Sequence, residues 1–114
     1  MTNATDQARH LAEQWLTCWR EQRPDDIPLA DDFVHTSPFG RIEGREHYLE
    51  LTKPKSAENT RALRILRVIA EGNTAAIVYE IDTPTTTYEA CDWVFVEDDR
   101  IKEIKAYFDP RGIG

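Results

Sequence analysis

The chain has 114 residues, enough for one domain with a single core and too few for two. With 14 Lys and Arg against 21 Asp and Glu the net charge is −7, which repels phosphate backbones and anionic lipid surfaces and argues against nucleic acid or a membrane as partner. Hydrophobic residues make up 40% of the chain and include three Trp, four Tyr and four Phe, core material that a disordered acidic chain lacks.

From Ala8 onward, Ala8, Leu11, Ala12, Trp15, Leu16 and Trp19 recur at the spacing of one helical face, predicting a helix from about Asn3 to Glu21 that ends before Pro24. The stretch Pro24 to Asp32 contains a second proline, Pro28, and allows only a short helical turn before an extended run, Phe33 to Ser37. Pro38-Phe39-Gly40 stops that run as a turn. Gly44 precedes Arg45 to Leu51, a short second helix that the sequence predicts to break at Pro54. Residues 61–71, 74–82, 86–97 and 100–108 are rich in Ile, Val, Tyr, Phe and Trp, and turn chemistry bounds them at Gly72-Asn73, Thr83-Pro84 and Asp98-Asp99. These runs predict an antiparallel meander with tight hairpins. With no repeat or linker, residues 1–114 read as a single domain.

In the third of those strands Ala90, Asp92, Val94 and Val96 alternate with Cys91, Trp93 and Phe95, so neither face is polar. One face is expected under the first helix. The other, carrying Trp93, Phe95 and Tyr107, is expected to meet a second copy, giving a homodimer through the outer sheet face. Cys18 and Cys91 lie far apart without ligand spacing, which points to a reducing, cytoplasmic setting. Residues 1–10 are polar and no apolar run approaches the roughly 20 residues of a membrane span, so neither leader nor anchor is expected. Without a phosphate-cradling glycine loop or a metal motif, no cofactor and no metal are expected; Asp25-Asp26 and Asp31-Asp32 read as solvated turn acids.

The order helix, turn, strand, helix and four strands resembles the SnoaL-like branch of the nuclear transport factor 2-like (NTF2-like) superfamily. Asp31-Asp32-Phe33-Val34, Ser37 to Glu46, Cys91-Asp92-Trp93-Val94-Phe95 and Ile104 to Pro110 carry that likeness. The resemblance implies an α+β fold, an NTF2-like (cystatin-like) cone in which N-terminal helices pack on a strongly curved antiparallel sheet that encloses a pocket. Strand parity puts Phe33, His35 and Ser37 on one side, with Ile77, Tyr79 and Ile81, then Ala90, Asp92 and Val94, and last Ile104, Ala106 and Phe108. Trp15 and Trp19 would cap the wall. Trp15, Trp19, Phe33, Ser37, Tyr79 and Phe108 are therefore the expected ligand-binding residues, suited to a small hydrophobic or aromatic molecule.

The superfamily hosts isomerases, dehydratases, cyclases, epoxide hydrolases and binding modules without chemistry, so residues must decide. Ketosteroid isomerases carry a helix tyrosine, a general-base aspartate before the turn proline, and a protonated aspartate on a later strand. The matching places here are Trp15, Ser37 and Asp92, and only the last is retained. A serine hydroxyl is no base near neutral pH, which argues against that mechanism. SnoaL-type cyclases carry a His-Trp-Asp run where this chain has Ile104-Lys105-Ala106. The candidate catalytic groups that remain are Asp92 and His35, a dyad able to enolise or dehydrate a carbonyl compound if both enter one pocket. The alternative is a ligand-binding or dimeric interaction module without catalysis. An epoxide-hydrolase-like activity is a third reading, with Arg64 or Arg67 as inward cations.

Overall fold

The structure is a computed structural model describing residues 3–111. Helix α1 (Ala4–Arg20) starts where the Asn3 side chain accepts the Asp6 N–H at 2.8 Å, with an acid in its first turn and Arg20 in its last. Its predicted stripe from Ala8 to Leu16 is buried, with Trp19 half-buried at the end. A 3₁₀ turn (Pro24–Asp26) leads into β1 (Leu29–Ser37), the short β2 (Gly40–Glu43), α2 (Arg45–Asn59) and the meander β3 (Ala62–Glu71), β4 (Thr74–Asp82), β5 (Thr87–Glu97) and β6 (Arg100–Tyr107).

Three local readings change. The first strand begins at Leu29 rather than Phe33, because Leu29 pairs with Ile101 ahead of a register shift that carries Asp31 and Asp32 outward. Gly40 to Glu43 form a strand rather than only leaving a turn, pairing back on β1. Helix α2 runs through Pro54 instead of stopping there. Pro54 and Glu50 both face solvent, so water can satisfy the Glu50 carbonyl that proline leaves without its N–H partner. The hairpins form as expected: Glu97 faces Arg100 across Asp98 and Asp99, whose φ values of 52° and 63° are those of a type I′ turn.

The six strands form one sheet in the order β2-β1-β6-β5-β4-β3. β1 runs parallel to β6, with His35 opposite Ile104, while every other pair is antiparallel. This corrects the expected cone. The sheet is open, with β2 and β3 as its two edges, and is neither strongly curved nor closed on itself. The physical reason is filling: Trp15, Leu11 and Leu16 of α1, Tyr48 and Leu49 of α2 and Phe33, Ile77 and Tyr79 of the sheet occupy the space that a closed wall would enclose.

Candidate functional site

Register fixes what shares the inner face. Leu63, Ile81 and Tyr88 form one row across the strands, Ile65, Tyr79 and Ala90 the next, Val68, Ile77, Asp92 and Ala106 the third, and Ala70, Ala75, Val94, Ile104 and His35 the fourth. Asp92 is thus a carboxylate among apolar neighbours, 1% exposed. Two donors hold it. The Trp15 indole N–H donates to Oδ2 at 2.8 Å and the Tyr79 hydroxyl to Oδ1 at 2.9 Å. Loss of water pushes the carboxyl up to about 6, against the lowering by Trp15 and Tyr79. The same burial, together with the Asp92 charge, holds the Tyr79 and Tyr48 phenols well above their ordinary value.

His35 stands on the same face in a different setting. Its ring lies 4.9 Å from that of Tyr48 and 6.2 Å from that of Trp15, centroid to centroid. Burial lowers its pKa to about 4, so the ring is a neutral imidazole at neutral pH and supplies no positive charge to Asp92. β6 lies between the two strands, with Ile104 opposite His35 and Ala106 opposite Asp92. Two strand spacings and two residues of offset put their Cα atoms roughly 12 Å apart. Trp15 stands between them: it touches both, and they do not bond each other.

The expected wall residues divide. Trp15, Trp19, Phe33, His35 and Tyr48 form one aromatic cluster, with Trp19 edge-on to Trp15 at 6.0 Å. Phe108 lies apart, 5.5 Å from Phe39 and 5.8 Å from Tyr88. The Ser37 hydroxyl accepts the Phe39 N–H at 3.1 Å and so serves the turn. Arg64 points to the other face, bonded to Glu80 and Asp82. Tyr48 was not expected in the cluster. Its signal was weak, because Arg45, Tyr48, Leu49 and Thr52 make a helical stripe with only two large apolar members.

Open space lies at the end of this layer. A cavity of about 270 Å³ forms where the C-terminal ends of α1 and α2 meet the start of β3, lined by Trp19, Arg20, Gln22, Ser56, Thr60 and Arg61 with Ala62 and Leu63. A shallower groove of about 430 Å³ runs along α2 past Asp25 and Lys53, which pair at 2.9 Å. Neither reaches Asp92 or His35. Among the described residues no group of three His, Cys, Asp or Glu is placed to hold a metal ion, and no helix is long and apolar enough to cross a membrane. Burial pushes the Cys18 and Cys91 thiols up.

A long helix across one face of a six-stranded mixed sheet, with a second helix beside β1, defines the α+β class of the NTF2-like superfamily, the ketosteroid-isomerase-like arrangement. Residues 12–104 match the SnoaL-like domain, and the chain belongs to that family. Solved structures of the same fold include a protein from Kribbella flavida DSM 17836, with 24% identity, a TM-score of 0.83 and coverage of 90% of this chain and 87% of that one. An NTF2-like protein of unknown function from Cytophaga hutchinsonii has 22% identity and a TM-score of 0.78, covering 91% of each chain. An LEH-like epoxide hydrolase of M. tuberculosis has 23% identity and a TM-score of 0.78, covering 92% of this chain and 84% of its own. No curated protein matches the chain in sequence. At these identities the structures share its fold.

Proposed function

We propose that the chain binds a small, mostly apolar molecule against the aromatic wall of its inner face, entering at Trp19. The observation that carries this reading is the Trp19-Trp15-Asp92 series, in which a half-buried indole at a cavity wall stacks edge-on to a buried indole that is fixed by a carboxylate. Asp92 orients that wall. Titration with 2-naphthol, followed by the three indole N–H resonances, tests it. Trp19 is expected to move while Trp93, on the outer face, stays as an internal control, and the apparent stability should rise with ligand. Movement of Trp93 alone, or of none, would overturn the reading.

A second reading, acid/base chemistry on a hydrophobic carbonyl compound, is favoured by the position of the Asp92 carboxyl near 6, where a group both takes and returns protons at neutral pH. Asp92 would remove a proton from the carbon next to the carbonyl and return it elsewhere, as in isomerisation, dehydration or cyclisation, once the Trp15 indole gives way. Isomerisation of a β,γ-unsaturated cyclic ketone should then fall by about a hundredfold or more in Asp92→Asn. Equal turnover in the variant would remove Asp92 from the chemistry.

We also propose the homodimer through the outer face. Ile69, Trp93 and Tyr107 are exposed there; Lys105 shares a row with Ile69 and Trp93, Arg67 a row with Tyr107, and the next row along carries Glu71 and Glu103. Such a patch can meet its own copy with opposite charges apposed. Light scattering at micromolar concentration should give twice the chain mass. The free thiols Cys18 and Cys91 support a reducing, cytoplasmic setting.

A further inference from the structure

The cavity beside Trp19 has a charge character that the rest of the chain does not share. In a protein of net charge −7, most arginines are occupied. Arg23 is bonded to Glu21, Arg41 to Glu43, Arg64 to Glu80 and Asp82, and Arg111 to Asp109. Arg9, Arg45 and Arg100 donate to backbone carbonyls. Arg20, Arg61 and Arg67 have no such partner among the described residues, and two of these three line the same cavity.

The remaining lining fits an anion with an apolar body. Ser56 and Thr60 add hydroxyls and Gln22 an amide, while Trp19, Ala62 and Leu63 make the wall toward the core. Both helices end here, and a helix C-terminus by itself repels anions. Local bonds use part of these carbonyls: the Glu21, Gln22 and Arg23 N–H groups donate to Thr17, Trp19 and Cys18, and the Thr60 N–H to Ser56. The two guanidiniums bring full positive charge against what remains of the helix-end dipoles, and their planar forks suit a carboxylate.

Resting on the ligand-binding reading above, we infer that this cavity takes a small carboxylic acid with an aromatic or alicyclic body, its carboxylate between Arg20 and Arg61 and its ring against Trp19 and Leu63. The size admits only a small acid, since about 270 Å³ lies just below the roughly 300 Å³ at which ligand sites begin.

The test compares sodium phenylacetate with neutral phenylacetamide at low salt, followed by the Trp19 indole and the amides of residues 60–63. The acid should bind roughly three- to tenfold more tightly than the amide, a preference that fades as salt screens it. Arg20→Gln and Arg61→Gln should each bring the acid down to the affinity of the amide. Arg41→Gln removes the same charge from β2 at the far edge of the sheet and should leave the preference intact. All three positions are exposed, so folding is not at stake. Equal affinity for acid and amide, a preference that survives both cavity variants, or inorganic phosphate binding as tightly as phenylacetate would each overturn the inference. If the amide and 2-naphthol bind at Trp19 and the acid binds no better, the carboxylate clamp falls and the ligand-binding reading stands. If none of the three binds, both fall.

Discussion

Along β5, alternate residues of one strand live in two environments. Ala90, Asp92, Val94 and Val96 lie buried beneath the helices, while Trp93 is 42% exposed on the other side and its cross-strand neighbourhood includes Tyr107 at 59%. The buried side holds the acid and the open side the tryptophan, the reverse of what hydrophobicity alone would assign. The inversion shows that partners, more than polarity, set the placement. Asp92 is tolerable inside because α1 and β4 each deliver a donor to it, whereas Trp93 is uncovered because both helices among the described residues pack on the inner face.

The buried side depends most on Trp15. Trp15→Ala should cost about 4 kcal/mol or more, because it opens a cavity in the aromatic cluster and leaves Oδ2 of Asp92 without its donor. Urea denaturation measures it, and a cost under about 1 kcal/mol would mean that the inner face is not packed as described.

Next in size is a pH effect. Asp92 holds its proton more tightly folded, with a pKa of about 6, than unfolded, near 3.9, so between those values the folded chain binds more protons and stability falls as pH rises. The loss is about 3 kcal/mol, complete above pH 6. His35 works oppositely. Its folded pKa of about 4 lies below the free value near 6.5, so its contribution is present above pH 6.5 and lost as pH falls toward 4. The two partly cancel in the wild type. Asp92→Asn removes one of them while keeping an acceptor for Trp15, so the stability of the variant minus that of the wild type should rise by about 3 kcal/mol from pH 4 to pH 8. A flat difference would place the carboxyl in water.

Smallest on folding is the change on the open side. Trp93→Ser should alter the stability of the isolated chain by no more than about 0.5 kcal/mol. Its mass in solution should fall from twice the chain mass to once. If stability collapses instead, the outer face is a core in its own right.

Much of the fold was legible because it rests on local patterns. The α1 stripe has period 3.6, the meander has period 2, and Asp98-Asp99 can take the left-handed turn that a two-residue hairpin needs. What escaped was non-local or depended on solvent. The parallel pairing of β1 with β6 joins segments far apart in sequence, and α2 crosses Pro54 because the affected carbonyl happens to face water. At the candidate site, parity found the face shared by Asp92, His35 and Tyr79. It could not show that Trp15 and Tyr79 converge on the carboxylate, or that a strand separates Asp92 from His35. Arg20 and Arg61 carry no motif, and only the meeting of two helix ends with β3 brings them to one cavity.

The order of residues by itself determined the helix stripe, the strand alternation and which side of each strand Asp92 and Trp93 occupy, since these follow from the repeat of the backbone. Tertiary structure decided whether the sheet would close and which donors would reach the carboxylate. The reason is that both depend on side chains 77 and 13 residues away in sequence filling one volume, and no local pattern encodes how that volume is shared.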